Sequence, residues 1–393
     1  MRNEAVIVDA VRTPMARGKM GGALSELHAT DLLLPVLRAL IERNRLDPGS
    51  VDDIIVGCVG QVGEQSASPG RVAWLAGGYP EHVPSTTIER KCGSSQQAVH
   101  FAAQGIMAGA YDIVIAAGVE SMSRVPMGAA RINQNPYSDG MQDRYAPGLV
   151  GQGVSAELVA GKWNISRDEL DAYSARSHQR AAAASAAGHF KEEIVAVNVN
   201  GTIVAEDETI RPTTTPAGLA QLKPAFSNAA MAHRFPQLDW RVTAGNSSQI
   251  TDGAAGLLLM SERMAGKLGL RARARFAGFD VCGDDPLMML TAPIPATRRV
   301  FAKSGLKLED IDHFEVNEAF AAVPLAWQRE IGASDTRLNP CGGAIALGHP
   351  LGASGARLMT TMLGALERGG GRYGLQTMCE AGGMANATII ERL

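Results

Sequence analysis

The sequence predicts an α/β protein made of two similar halves with a segment of different character set between them. Three observations carry this expectation. Short β-rich runs alternate with helical patterns, one turn-and-strand pattern recurs 260 residues along the chain, and the stretch between the repeats is polar and irregular. A length of 393 residues suits two or three ordinary domains or one large fused one. Lysine plus arginine number 37 against 40 acidic residues, so the formal charge of -3 lacks the basic footprint of a nucleic-acid binder. Aromatic residues make up only 5% of the chain while glycines number 44, which predicts a core of close backbone approaches rather than large aromatic plugs.

Taken in order, the first strand is Ala5 to Val8. The residues around it are too acidic, and the apolar run too short, for a signal or transit peptide, and no stretch reaches the roughly 18 apolar residues of a membrane span. A helix at Ala29 to Arg45, a strand at Ile54 to Val56, a helix at Ser94 to Ala108 and a strand at Ile113 to Ala117 continue the alternation. The pattern Leu46-Asp-Pro-Gly-Ser-Val-Asp-Asp-Ile-Ile-Val-Gly57 lies 260 residues before Leu306-Lys-Leu-Glu-Asp-Ile-Asp-His-Phe-Glu-Val-Asn317. At nearly the same offset, the small-residue helix after Cys92 and the strand Asp112 to Gly118 match the helix Ala353 to Glu367 and the strand Tyr373 to Cys379. Three units are expected: a first half at 1–120, an inserted loop domain at 121–249 and a second half at 250–393. The insert opens on loop-like sequence at Asn133 to Gly140, then carries a helix led by the capping box Ser166-x-x-Glu169 and running towards Gly188. Its position suits a lid or binding domain over a site shared by the halves, or a source of oligomer contacts.

Five cysteines, at 58, 92, 282, 341 and 379, form no CxxC pair and are odd in number. This argues against a disulfide framework and against a zinc site, and places the chain in a reducing cytoplasm with no metal expected. Cys92 sits in Glu89-Arg-Lys-Cys-Gly-Ser-Ser95 directly before a helix. The helix dipole together with Arg90 and Lys91 is expected to favour its thiolate, although an inert cysteine at a tight strand-to-helix junction has the same local sequence. His349 is the one titratable side chain of the loop Gly342-Gly-Ala-Ile-Ala-Leu-Gly-His-Pro-Leu-Gly-Ala-Ser-Gly355, which lacks the lysine of a phosphate loop. Cys379 and Asn317 end strands at positions where the first half has Gly118 and Gly57, so polar groups replace scaffold glycines at two strand ends.

Lys91-Cys-Gly-Ser-Ser95, Asn317-Glu-Ala-Phe320, Gly342 to Pro350, Thr243-Ala-Gly-Asn-Ser-Ser248 and the Cys379 motif together resemble the thiolase family, over essentially the whole chain. The resemblance implies the thiolase fold: two βαβαβαββ halves forming a layered α-β-α-β-α core, with a loop domain inserted in the first. It implies thiolytic cleavage of 3-oxoacyl-CoA by free CoA, as in degradation of fatty acids or steroid side chains, with CoA as co-substrate and no permanently bound cofactor. Cys92 would be the nucleophile, His349 the base that takes its proton, and Cys379 the acid and base at the carbon centre. Asn317, through a water, would join His349 in stabilising the enolate. Backbone amides of Cys92 and Ala381 would form a second oxyanion hole, where family members usually have glycine in place of Ala381.

Family positions for CoA map to Ser248, Arg211, Phe226 and, at the end of the Asn317 box, Phe320. Between Phe226 and Val242 the chain is about ten residues longer than the usual family spacing. This stretch includes His233, Arg234, Phe235, Trp240 and Arg241 and is expected either to reshape the entrance or to form a passive surface loop. The resemblance further implies self-association as a dimer or dimer of dimers, and a β-oxidation hydratase/dehydrogenase as a candidate partner. A biosynthetic acetoacetyl-CoA thiolase uses the same residues in reverse. A ketoacyl synthase of related fold typically lacks the second cysteine, and a non-catalytic acyl-CoA carrier has no need of both Cys92 and Cys379.

Overall fold

The structure is a computed structural model that describes residues 4–393. The first half contains β1 (Ala5–Arg12), α1 (Ala29–Arg43), β2 (Asp53–Gly57), α2 (Pro69–Ala76), β3 (Ser85–Ile88), α3 (Ser94–Met107) and β4 (Ile113–Ser121). The inserted segment follows, with α4 (Gln152–Lys162), α5 (Arg167–Ala186) and α6 (Ala229–Arg234) as its main helices, and β5 (Thr251–Ser261) then closes the half. The second half runs β6 (Ala274–Gly283), α7 (Pro293–Ser304), β7 (Ile311–Val316), α8 (Ala322–Ile331), α9 (Ser354–Gly369), β8 (Tyr373–Glu380) and β9 (Met384–Arg392).

The two halves repeat one topology. Hydrogen-bonded neighbours run β1-β5-β4-β2-β3 in the first and β6-β9-β8-β7 in the second, with the same parallel and antiparallel senses. The fifth position of the second sheet is reduced to a single bridge between Phe314 and Leu338. Asn339 turns into the left-handed region at φ 44°, and Pro340 has no N–H to continue a ladder. A short antiparallel contact of Val6 and Ile7 with Arg275 and Ala274 links the sheets.

One local device is duplicated atom for atom. Asp52 Oδ2 accepts the backbone N–H groups of Asp112 and Ile113 at 2.7 and 2.8 Å, and Asp312 Oδ2 accepts those of Arg372 and Tyr373 at 2.6 and 3.1 Å. Each aspartate ties the start of one parallel strand to the start of its neighbour.

The boundary expected at residue 250 shifts. β5 pairs with β1 on one side and β4 on the other, so it completes the first sheet, and the insert lies between two strands of that half. All eleven residues of β5 are buried, as are all nine of β4, because helices cover both sides of the sheet. α1 and α2 cover the outer face of the first sheet, where Leu33, Leu37 and Leu40 meet Ile54, Ile115 and Leu258. α7 and α8 cover the second, where Val300 and Trp327 meet Phe314, Leu375 and Ile389. α3 and α9 lie between the sheets, with Ala98, Ala102 and Ile106 against Met359, Leu363 and the strand residues Val114, Leu257 and Ile390. Each fully buried leucine, isoleucine, valine or methionine among these contributes roughly 1.5–3 kcal/mol by leaving water. The result is the layered α-β-α-β-α core.

Candidate active site

Small residues at strand ends let the two central helices meet nose to nose. A β-carbon on Gly57 would fall 2.3 Å from the Ser95 nitrogen, one on Gly118 2.3 Å from the Gly352 oxygen, and one on Gly355 2.2 Å from the Gln96 nitrogen. The N–H of Ala356, in α9, donates to Ser95 Oγ of α3 at 2.9 Å. α3 is led by Cys92 and α9 by the loop carrying His349, so the duplicated fold brings both into one neighbourhood. Leu351, two residues after His349, packs on the cluster of Cys92, Leu358 and Met378.

His349 is buried and held at both ends. Its backbone N–H donates to Gln249 O and Thr251 Oγ1, at 3.1 and 3.0 Å. Its Nδ1 lies 2.6 Å from Ser354 Oγ, and that hydroxyl donates onward to Pro350 O at 3.1 Å. The hydroxyl proton being committed, Nδ1 carries the ring proton and Nε2 presents its lone pair, 3.5 Å from Asn317 Nδ2. Burial, reinforced by the Arg357 guanidinium, pushes the imidazole down to about 3, so the ring is neutral at physiological pH.

Cys92 corrects one expectation. Its thiol is pushed up to about 12, by burial first and then by the Glu380 carboxyl. Lys91 is turned to Glu89 at 2.8 Å and gives the sulfur no support. Backbone amides of Cys92 itself and of Ala381 face the sulfur and act in the opposite direction, but burial outweighs them. The resting nucleophile is therefore a thiol that needs a base.

Cys379, at the end of β8, is buried, and its thiol is raised by burial and then by the proximity of Cys92. It packs with Ala319, Phe320, Met289, Leu290 and Ile345, with Ala381 against the same cluster. Asn317 donates its backbone N–H to Thr377 O at 3.1 Å, and its side-chain Oδ1 is buried without a protein partner. Its neighbour Glu318 accepts from Tyr173 at 2.9 Å, Ser177 at 2.7 Å and the Ile345 N–H at 3.1 Å, which locks the Asn317 box to α5 and to the loop before His349.

The residues expected along a CoA path form a graded series. Arg211 is exposed and reaches Gln249 Oε1 at 3.1 Å. Ser248 is half-buried and donates its N–H to Ala319 O at 2.9 Å, beside the bridge between Ser247 and Phe320. Phe226 meets Phe320 edge to face with centroids 5.8 Å apart. The long stretch after Phe226 leaves and returns at one neck, where the Ala225 N–H donates to Val242 O at 2.9 Å. It forms α6 and seats Phe235 with Val150 and Val154, flanked by Leu238 and Trp240.

Sequence reasoning passed over Ser354, Arg357, Glu318 and Glu380. Ser354 and Arg357 look like ordinary helix residues, and only the first turn of α9 brings them behind the imidazole. Glu318 and Glu380 each adjoin a singled-out residue, and a carboxylate next to a strand end was the available signal.

The thiolase N-terminal domain matches residues 5–263 and the thiolase C-terminal domain residues 270–392. The chain is 49% identical over 398 residues to the steroid 3-ketoacyl-CoA thiolase FadA6 of Mycobacterium tuberculosis, covering 99% of this chain and 94% of that protein. It is 45% identical over 399 residues to the 3-ketoacyl-CoA thiolase of Cronobacter sakazakii, covering 99% and 100%. The crystal structure of the Bacillus anthracis acetyl-CoA acetyltransferase superposes with a TM-score of 0.88 at 35% identity, covering 100% of this chain and 99% of that one. The two matched domains meet at the short helix Glu262–Leu268 between β5 and β6, where the topology itself repeats, and the chain belongs to the thiolase family.

Proposed function

We propose that this protein catalyses CoA-dependent thiolytic cleavage of 3-oxoacyl-CoA thioesters in the degradative direction, releasing acetyl-CoA and a shortened acyl-CoA. The reading rests above all on one observation: a buried Cys92 thiol whose sulfur faces the amides of Cys92 and Ala381 and lies close enough to Cys379 to raise that second thiol. In this scheme His349 Nε2 takes the Cys92 proton, directly or through a water, and the thiolate adds to the 3-oxo carbon. The bond between C2 and C3 then breaks, Cys379 delivers its proton to C2 of the departing acetyl-CoA enolate, and the acyl group stays on Cys92. His349, now protonated, and a water on Asn317 stabilise the enolate oxygen; the unpartnered Oδ1 of Asn317 suits such a water. Free CoA, deprotonated by the Cys379 thiolate, attacks the acyl thioester and regenerates Cys92.

The CoA would lie along Arg211, Ser248, Phe226 and Phe320, with its adenine end towards Arg211. A dimer or dimer of dimers is our reading of the assembly, supported by exposed Met127, Ile132 and Tyr137 around the loop at 133–140. A cytoplasmic site of action suits five buried cysteines that form no disulfide.

Replacement of Cys379 by alanine tests the scheme. Cys92 should still accept an acyl group from a thioester, detected by intact-protein mass, while cleavage of 3-oxoacyl-CoA falls about 10²–10⁴-fold. Unimpaired cleavage rejects the role given to Cys379. Turnover of acetoacetyl-CoA against a long-chain 3-oxoacyl-CoA separates the degradative reading from the biosynthetic one.

A further inference from the structure

Glu380 follows Cys379 directly, and its side chain turns back under the nucleophile. The carboxyl is wholly buried, and neither oxygen has a hydrogen-bond partner. It lies on the Cα of Gly93: a β-carbon there would stand 1.9 Å from Glu380 Oε1 and 3.2 Å from Asn386 Oδ1, which is also buried and unpartnered. Two acceptor oxygens thus flank one point in the Cys92–Gly93 turn with no side-chain donor between them, the Asn386 backbone N–H being the one donor that acts on the carboxyl. A proton on the carboxyl supplies the missing side-chain donor.

The surroundings favour the acid form. Asn386 commits its Nδ2 to Gln97 Oε1 at 3.1 Å and His100 Nδ1 at 3.2 Å, and His100 Nε2 reaches Thr388 Oγ1 at 2.7 Å. His100, on α3, is itself kept neutral by burial, so the chain behind Glu380 carries no charge. The other groups facing the carboxyl are the thiols of Cys92, Cys379 and, on β6, Cys282, together with Arg90 before α3. Arg90 makes no ion pair with Glu380, and its Nε is also buried without a partner. Burial pushes the Glu380 carboxyl up to about 8, against smaller opposing effects of Arg90 and of the Asn386 backbone N–H.

We propose that Glu380 is a positioning residue of the thiolytic site, a carboxylic acid that seats the Cys92–Gly93 turn by donating to Asn386 Oδ1 and whose ionisation suppresses the nucleophile. This rests on Cys92 being the acylated residue. When Glu380 loses its proton to solvent, a negative charge appears beside the sulfur and opposes both the thiolate and the oxyanion formed next to it. The activity then falls on the alkaline side, where an ordinary cysteine enzyme would gain.

The experiment is the pH dependence of kcat/KM and of Cys92 alkylation by iodoacetamide, resolved by peptide mass, for the unaltered protein and for Glu380→Gln. The glutamine keeps a donor and cannot ionise. In the unaltered protein, the logarithm of the Cys92 alkylation rate should rise with pH at a slope well below one across the carboxyl titration. In Glu380→Gln the slope returns to one, alkylation above that titration is about tenfold faster, as expected for one unit in the thiol pKa, and the alkaline fall in kcat/KM disappears. A slope of one throughout in the unaltered protein overturns the proposal without need of any variant. So does a Glu380→Gln protein that loses activity equally at every pH, as a plain structural role or an ionised pair with Arg90 predicts. Failure of Cys92 to form an acyl-enzyme from a thioester would instead overturn the functional reading beneath it.

Discussion

His349 Nδ1 and Ser354 Oγ lie 2.6 Å apart, one helical turn along the entry to α9, and this contact determines which ring nitrogen is free to act. Because Ser354 donates to Pro350 O, the imidazole has one tautomer, with Nε2 as the base. Replacing Ser354 by alanine removes that constraint. A hydrogen bond of this kind is worth about 0.5–1.5 kcal/mol net, so kcat should fall roughly 3–10-fold with KM little changed. Steady-state kinetics of Ser354→Ala and Ser354→Thr check this, threonine restoring most of the loss.

The buried histidines make stability depend on acid. His349 and His100 both have folded values lowered to about 3 by burial, below an ordinary histidine. For a base depressed on folding, the unfolded chain binds protons that the native state does not. Their stabilising effect is therefore complete above the unfolded value, near 6.5, and is lost as pH falls from there towards 3. Each can contribute a slope of up to about 1.4 kcal/mol per pH unit in that window. Urea unfolding midpoints measured from neutral to mildly acid pH should fall, and the fall should be shallower by about one proton in His100→Gln.

The excursion between Phe226 and Val242 offers a test of chain-length selection. Its ends are already joined by the Ala225–Val242 hydrogen bond, so a short turn can replace it without unthreading the core. Its aromatic residues Phe235 and Trp240 pack towards α4 and Leu287. Shortening the stretch to the usual family spacing should leave thermal unfolding within a few degrees and shift the preference among 3-oxoacyl-CoA chain lengths. An unchanged profile would assign the loop to the surface alone.

Much of this architecture was legible in the sequence because it rests on local, repeated chemistry. The match of Leu46–Gly57 with Leu306–Asn317 appeared as an offset of 260, and the structure gives it a mechanism in the paired aspartates Asp52 and Asp312. Cys92, His349, Cys379 and Asn317 stood out for a related reason: they interrupt small-residue patterns that the scaffold requires at strand and helix ends. β5 was harder. A strand buried on both faces has no polar alternation to say which sheet it joins, and its pairing with β1 spans about 250 residues of chain.

By itself, then, the sequence determined two duplicated α/β halves, an insert and the residue types at the strand ends, since periodicity, turns and short-range hydrogen bonds are properties of neighbouring residues. Protonation was decided only by tertiary structure. Lys91 and Arg90 beside Cys92 suggested a thiolate, yet folding buries the sulfur, turns Lys91 to Glu89 and brings Glu380 from nearly 290 residues away against Gly93. Desolvation and long-range charge act through space, and their balance is settled only when the two halves close on each other.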